Sequence, residues 1–132
     1  MKKLLLVILT LIPFHSLVKA EKMPANGLIV TELEKFSLAK QIPQINSGKH
    51  SYNIRARKII IPAGVSIAQH EHTGRPGIAY VQSGEIVEYR GSESRLLKAG
   101  DSLREDFTTV HSYKNVSEQD CVVIAFDIPK EK

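Results

Sequence analysis

The chain has 132 residues, 42% of them hydrophobic, with 18 basic and 14 acidic side chains and one cysteine. That length suits one small domain, and the lone cysteine excludes an internal disulfide. No run of like charges marks a nucleic-acid partner.

The first element is an address. Lys2 and Lys3 precede an apolar run from Leu4 to Phe14, and Val18-Lys19-Ala20 forms a small-x-small cleavage signal. This pattern predicts a secretory signal peptide over 1–20, cleaved after Ala20, and a periplasmic or secreted protein. The run is well short of the ~20 residues a membrane-spanning helix needs, and no later segment approaches that length. Lys2, Lys3 and Lys19 would leave with the leader, so the 18 basic side chains fall to 15 against 14 acidic ones. The basic pI is then largely the leader's, which removes most of the case for nucleic acid or an anionic membrane.

After the leader, residues 21–49 read as an N-terminal arm or edge strands. Within this arm "GLIVT" (27–31) predicts a strand, "ELEKFSLAKQ" suits a short helix or an edge strand, and "IPQINSGK" suits a loop. Residues 50–132 read as the principal domain. Strands are predicted at 52–61, 65–72, 77–82, 85–90, 94–98, 109–115 and 121–128, broken by "PAG", "TGRPG", "SG", "GS", "AGD" and "SEQD". Many short strands between glycine-bearing turns indicate an all-β sandwich or barrel. Cys121 opens the apolar run "CVVIAFDI" and reads as a small buried hydrophobe.

Chemistry concentrates in "GVSIAQHEHTGRPGIAYVQSG", residues 64–84. In a regular strand residues two apart share a face, so His70 and His72 project together, with Ser66 and Ala68 on their side and Ile67, Gln69 and Glu71 opposite. Two imidazoles on one face suit the wall of a metal pocket. The spacing alone is a weak signal, and "GDSLREDFTTVHSYKN" (100–115) strengthens it by adding His111 on a later strand.

With these segments the chain resembles the cupins. Their first motif, G-x5-H-x-H-x3,4-E-x6-G, is met by Gly64, His70, His72 and Gly84; their second, G-x5-P-x-G-x2-H-x3-N, by Gly100, His111 and Asn115. The resemblance implies a double-stranded β-helix (jelly-roll) barrel with His70, His72 and His111 as ligands of a divalent metal: zinc, iron, manganese, nickel or copper. The family glutamate falls at Gly77, and the second motif's proline and glycine become Asp106 and Thr108. A three-histidine site with glycine at that position is similar to those of some bacterial thiol dioxygenases. Asp106 is the better candidate for a replacement carboxylate, ahead of Glu105 in the same turn, and Gln82 is a weaker candidate ligand.

Around this pocket Arg75 could clamp an anion or hold a loop together, and Tyr113 shares a face with His111. Asn115 reads as a turn-fixing residue, Tyr80 as outer packing and His50 as solvated. The function expected is an exported cupin that binds a divalent metal and a small, anionic ligand; whether it is an enzyme is left open, and metal-dependent oxygenase or isomerase chemistry fits the site best if it is. The alternative is a non-catalytic ligand-binding or sensing barrel. A homodimer is also expected, because a domain this small gains from extra burial.

Overall fold

The computed structural model describes residues 27–45 and 50–131. The leader over 1–20 and its cleavage point lie outside these residues. The elements are β1 (Ile29–Ser37), α1 (Leu38–Gln41), a 3-10 turn (Pro43–Ile45), β2 (Asn53–Ile61), β3 (Ser66–Glu71), β4 (Gly77–Ser83), β5 (Glu85–Arg90), β6 (Glu93–Lys98), β7 (Ser102–Glu105), β8 (Val110–Lys114) and β9 (Cys121–Asp127). They form two antiparallel sheets, one ordered β1-β2-β9-β4-β7 and the other β3-β8-β5-β6. The result is a jelly-roll barrel.

The ambiguous segment after Thr31 takes both forms suggested for it. The strand runs on to Ser37 as the edge partner of β2, and one helical turn follows. Strand β7 was not anticipated. Its four residues, "SLRE", carry two charges and fall between the strands expected at 94–98 and 109–115, yet Leu103 and Glu105 are buried while Ser102 and Arg104 are exposed. Pairing with β4 from Gly77↔Glu105 to Tyr80↔Ser102 fixes that alternation.

Alternation elsewhere separates core from surface. On β4, Ala79 and Val81 are buried while Ile78, Tyr80 and Gln82 are exposed. Leu28, Ile61, Val81, Ile86, Leu97 and Leu103 belong to one apolar cluster between the sheets. Gly84 turns the chain from β4 into β5 at φ 75°, and a Cβ there would stand 2.5 Å from the Asp120 carbonyl oxygen. Only glycine meets both conditions.

Strand β3 departs from simple alternation. Ile67 pairs with Tyr113 and His70 with His111, so three steps on β3 match two on β8. This one-residue bulge shifts the phase of the strand. Ile67 therefore packs against the core together with His70, while Ser66 and Ala68 are exposed. A straight strand would have put Ser66 and Ala68 on the histidine side.

Candidate metal centre

His70 near the end of β3, His72 just after it and His111 on β8 converge inside the barrel. His111 Nε2 lies 3.0 Å from His72 Nε2 and 3.1 Å from His70 Nε2. Among the described residues these three form a group whose ligand atoms all lie within 4.8 Å of one another. His72 and His111 are almost fully buried.

The other ring nitrogens explain the convergence. Nδ1 of His70 lies 3.0 Å from the Ala68 carbonyl oxygen, and Nδ1 of His72 lies 3.2 Å from that of Arg75. Nδ1 of His111 lies 2.7 Å from Glu88 Oε1. Acceptors can be satisfied only by an Nδ1–H donor, so each neutral ring keeps its lone pair on Nε2. Three lone pairs then face one point, an arrangement that repels itself unless a cation or proton stands between them. Burial pushes the pKa of His70 down. Burial, reinforced by the Arg75 charge, takes His72 down to about 4. Both rings are therefore neutral, and ready to ligate, at neutral pH.

Two buried carboxylates flank His111. Glu88, fully buried on β5, accepts from Arg90 Nε at 2.7 Å and Arg95 Nε at 2.6 Å as well as from His111. Burial works to raise its pKa, but the hydrogen bonds from His111, Arg90 and Arg95 prevail and hold it at about 2. A permanent anion behind an imidazole fixes its orientation and its tautomer. The sequence offers one sign of this role: Glu88 occupies the same strand phase as buried Ile86.

Glu105 is the other carboxylate. Its Oε2 lies 3.4 Å from His72 Nδ1 and its Oε1 3.7 Å from His111 Nε2. The Tyr113 hydroxyl donates to Oε1 at 3.4 Å. Burial raises the Glu105 pKa. Asp106, the carboxylate preferred on sequence, is displaced by this neighbour. It lies in the exposed turn and accepts from the backbone N–H of Thr108 and the hydroxyls of Thr108 and Thr109. The strand ends between the two residues, so one points in and the other caps a turn.

Gly77 pairs with Asp127 on one side and Glu105 on the other. A Cβ at Gly77 would stand 2.6 Å from the Phe126 carbonyl oxygen and 3.1 Å from Asp127 Cβ. Strand β9 thus leaves no room for a side chain there, and the carboxylate appears directly across the strand pair instead.

Arg75 lines the cavity, and its Nη1 donates to Asp127 Oδ2 at 3.0 Å. Asp127 also accepts from Arg55 at 2.9 and 2.8 Å and from Arg57 at 2.9 Å. Tyr113 is buried with its ring 4.6 Å from that of His111. Gln82 is a correction: it stands on the outer face of β4, opposite in phase to Ala79 and Val81 and away from the histidines. Asn115 ties the turn after β8 to Ile61 and Gln119 through their carbonyl oxygens. Cys121 is buried, and burial lifts its thiol to about 11.

The cavity in front of the histidines measures about 400 Å³. Its polar end holds His70, His72, Glu105, Arg57 and Arg75. Its floor is aliphatic, formed by side chains such as Ile59, Ile61, Val81 and Val123.

The cupin domain model matches residues 57–127, and the chain belongs to that family. No curated protein matches it in sequence. Among solved structures, an RmlC-like cupin from Shewanella frigidimarina is similar, with a TM-score of 0.62 at 18% identity over 89% of this chain and 88% of that one. A conserved double-stranded β-helix protein from Klebsiella pneumoniae gives 0.62 at 21% identity over 80% and 81%. A protein described as a predicted oxalate decarboxylase from Thermotoga maritima gives 0.58 at 25% identity over 77% and 80%.

Proposed function

We propose that this cupin binds a divalent metal through Nε2 of His70, His72 and His111, and that the metal presents open positions to a small molecule held in the cavity. The convergence of three Nε2 atoms, each ring's Nδ1 being tied back, carries this reading. Two ligand nitrogens about 2.1 Å from one ion stand roughly 3.0 Å apart at a right angle and roughly 3.4 Å apart at a tetrahedral one. The separations of 3.0 and 3.1 Å are close enough for the nitrogens to share one divalent ion: zinc, iron, manganese, nickel or copper.

When bound, the metal supplies Lewis-acid activation of a ligand oxygen. Glu105 takes the role of the absent family glutamate, with Oε1 next to His111 Nε2 and placed to hold or accept a proton. Tyr113 orients that carboxylate through its hydroxyl. A buried acid of raised pKa in the cavity supports metal-dependent isomerase or oxygenase chemistry over passive sensing.

Export through the 1–20 leader and a homodimer belong to the same proposal. Ile78 and Phe126, cross-strand partners 56% and 50% exposed on the outer sheet face, support the dimer. A monomer mass at every dilution would exclude it.

The deciding experiment is elemental analysis of protein from its native host beside the His70→Ala/His72→Ala variant. The expected result is a near-stoichiometric divalent metal that disappears in the variant. A metal-free wild type that also takes up none of iron, manganese, nickel, copper or zinc overturns the reading.

A further inference from the structure

The metal proposal leaves unused a group of arginines at the cavity's polar end. The inward face of the five-stranded sheet carries Arg55, Asp127, Gly77 and Glu105 in one row across the strands. The next row is Arg57, Ala125, Ala79 and Leu103. Alanines beside Arg57 leave room for its guanidinium. Asp127 is shared by Arg55, Arg57 and Arg75. Of the three, Arg57 and Arg75 line the cavity.

Arg57 is under-satisfied in a specific way. Its Nη2 donates to Asp127, but its buried Nε has no hydrogen-bond partner, the one such buried side-chain nitrogen or oxygen among the described residues. Buried donors are ordinarily paired, and an orphan at a cavity wall marks a place for an acceptor. The orphan belongs to a charged guanidinium, whose hydrogen bonds to an anion are the strong ones, so an anion is the preferred acceptor.

We propose, building on the reading of this cavity as the ligand site, that the ligand is an amphiphilic carboxylic acid whose acid group is read by Arg57 Nε, with Arg75 beside it, and whose apolar body lies on the aliphatic floor. A bare small dianion would satisfy the arginines and leave the floor formed by Ile59, Ile61, Val81 and Val123 uncovered. A neutral apolar molecule would cover the floor and leave Arg57 Nε orphaned. Only a molecule with both parts fits both ends.

Calorimetric titration of the full chain with 3-phenylpropanoate, 3-phenylpropanamide and acetate tests this, on metal-loaded and chelator-treated protein. The acid is expected to bind about ten-fold or more tighter than either the amide or acetate. Arg57→Gln should bring the acid down to the amide's level with metal content unchanged, which also shows that the barrel is intact. Equal binding of acid and amide to the wild type overturns the proposal, whether or not the variant folds. So does full acid affinity in Arg57→Gln. An acid preference that survives chelation upholds the arginine assignment even where the metal reading fails. A preference that vanishes on chelation assigns recognition to the metal and overturns the proposal.

Discussion

The two sides of His111 carry the same functional group in opposite states. Behind the ring, Glu88 accepts from two arginines and an imidazole and is a fixed anion at about 2. In front of it, Glu105 has one hydroxyl donor at 3.4 Å and contacts of 3.4 and 3.7 Å to His72 and His111, and burial drives its pKa up. Both are glutamates at strand positions facing the interior. Their partners decide the charge, and the charge decides the role. An anion well supplied with donors orients its neighbour, whereas a carboxylate short of donors can exchange a proton.

Removing the rear carboxylate should have the largest effect. Glu88→Ala leaves His111 Nδ1 without its acceptor and two arginine side chains facing a buried gap. Breaking a buried ion pair from one side costs about 3–5 kcal/mol. Arg95 and Arg90, with side chains 51% and 37% exposed, can turn toward water, so the loss should sit near about 3 kcal/mol. Metal affinity should also fall about 10–100-fold, as it does when the group behind a ligating histidine is lost. Urea unfolding and metal titration measure the two effects. A stability loss below about 1 kcal/mol would show that Glu88 does not organise the ring.

The contrast can also be sharpened by pH, using metal-free protein. His72, with a folded pKa of about 4 against an ordinary 6.5, stabilises the fold above 6.5, and that contribution is lost as pH falls from 6.5 to about 4. His70 shifts in the same direction and adds to the same loss. For His72 the shift corresponds to about 3 kcal/mol at most. Glu88 adds a second loss between pH 4.5 and about 2. Glu105 has the opposite sign: raised in the folded state, it favours the fold at low pH and loses that contribution as pH rises above 4.5. Chemical denaturation between pH 4 and 7 should therefore show a net rise with pH that becomes steeper in Glu105→Gln. An unchanged slope in that variant would mean that Glu105 is not held toward its neutral form.

Gly77 tests why the front carboxylate sits on β7. Gly77→Ala forces a Cβ against the Phe126 carbonyl oxygen and should cost about 1–3 kcal/mol, measurable by urea unfolding. A variant as stable as wild type would mean that β9 yields easily and that the glycine is no steric requirement.

The fold was legible because its signals repeat. Eight of the strands lie where alternation and glycine-bearing turns place them, and the three histidines meet where motif spacing puts them. The carboxylates were not legible, for local reasons. Glu105, expected in a turn, ends a strand of only four residues, and its burial comes from pairing with distant Gly77. Glu88 looks like a surface charge until Arg95, its cross-strand partner, and His111 on another strand surround it. The phase of Ile67 depends on a bulge defined only by the register with β8. Each miss involves a partner far away in sequence, which periodicity along one strand cannot reveal.

The smallest expected effect separates two adjacent acids. Glu105→Gln keeps the shape and removes the charge, so stability of the metal-free protein should stay within about 1 kcal/mol of wild type, because a buried carboxylate short of donors adds little. Metal affinity should nonetheless fall about ten-fold, since the anion nearest His111 Nε2 is gone. Asp106→Asn loses a charge one residue later but keeps an oxygen that can accept from Thr108 and Thr109, and it faces solvent. It should leave metal affinity unchanged and lower the unfolding midpoint slightly. Metal titration of both variants decides between them. If Asp106→Asn lost the metal and Glu105→Gln kept it, the front of the site would be the solvent-facing turn, and the buried row from Asp127 through Gly77 to Glu105 would be structural alone.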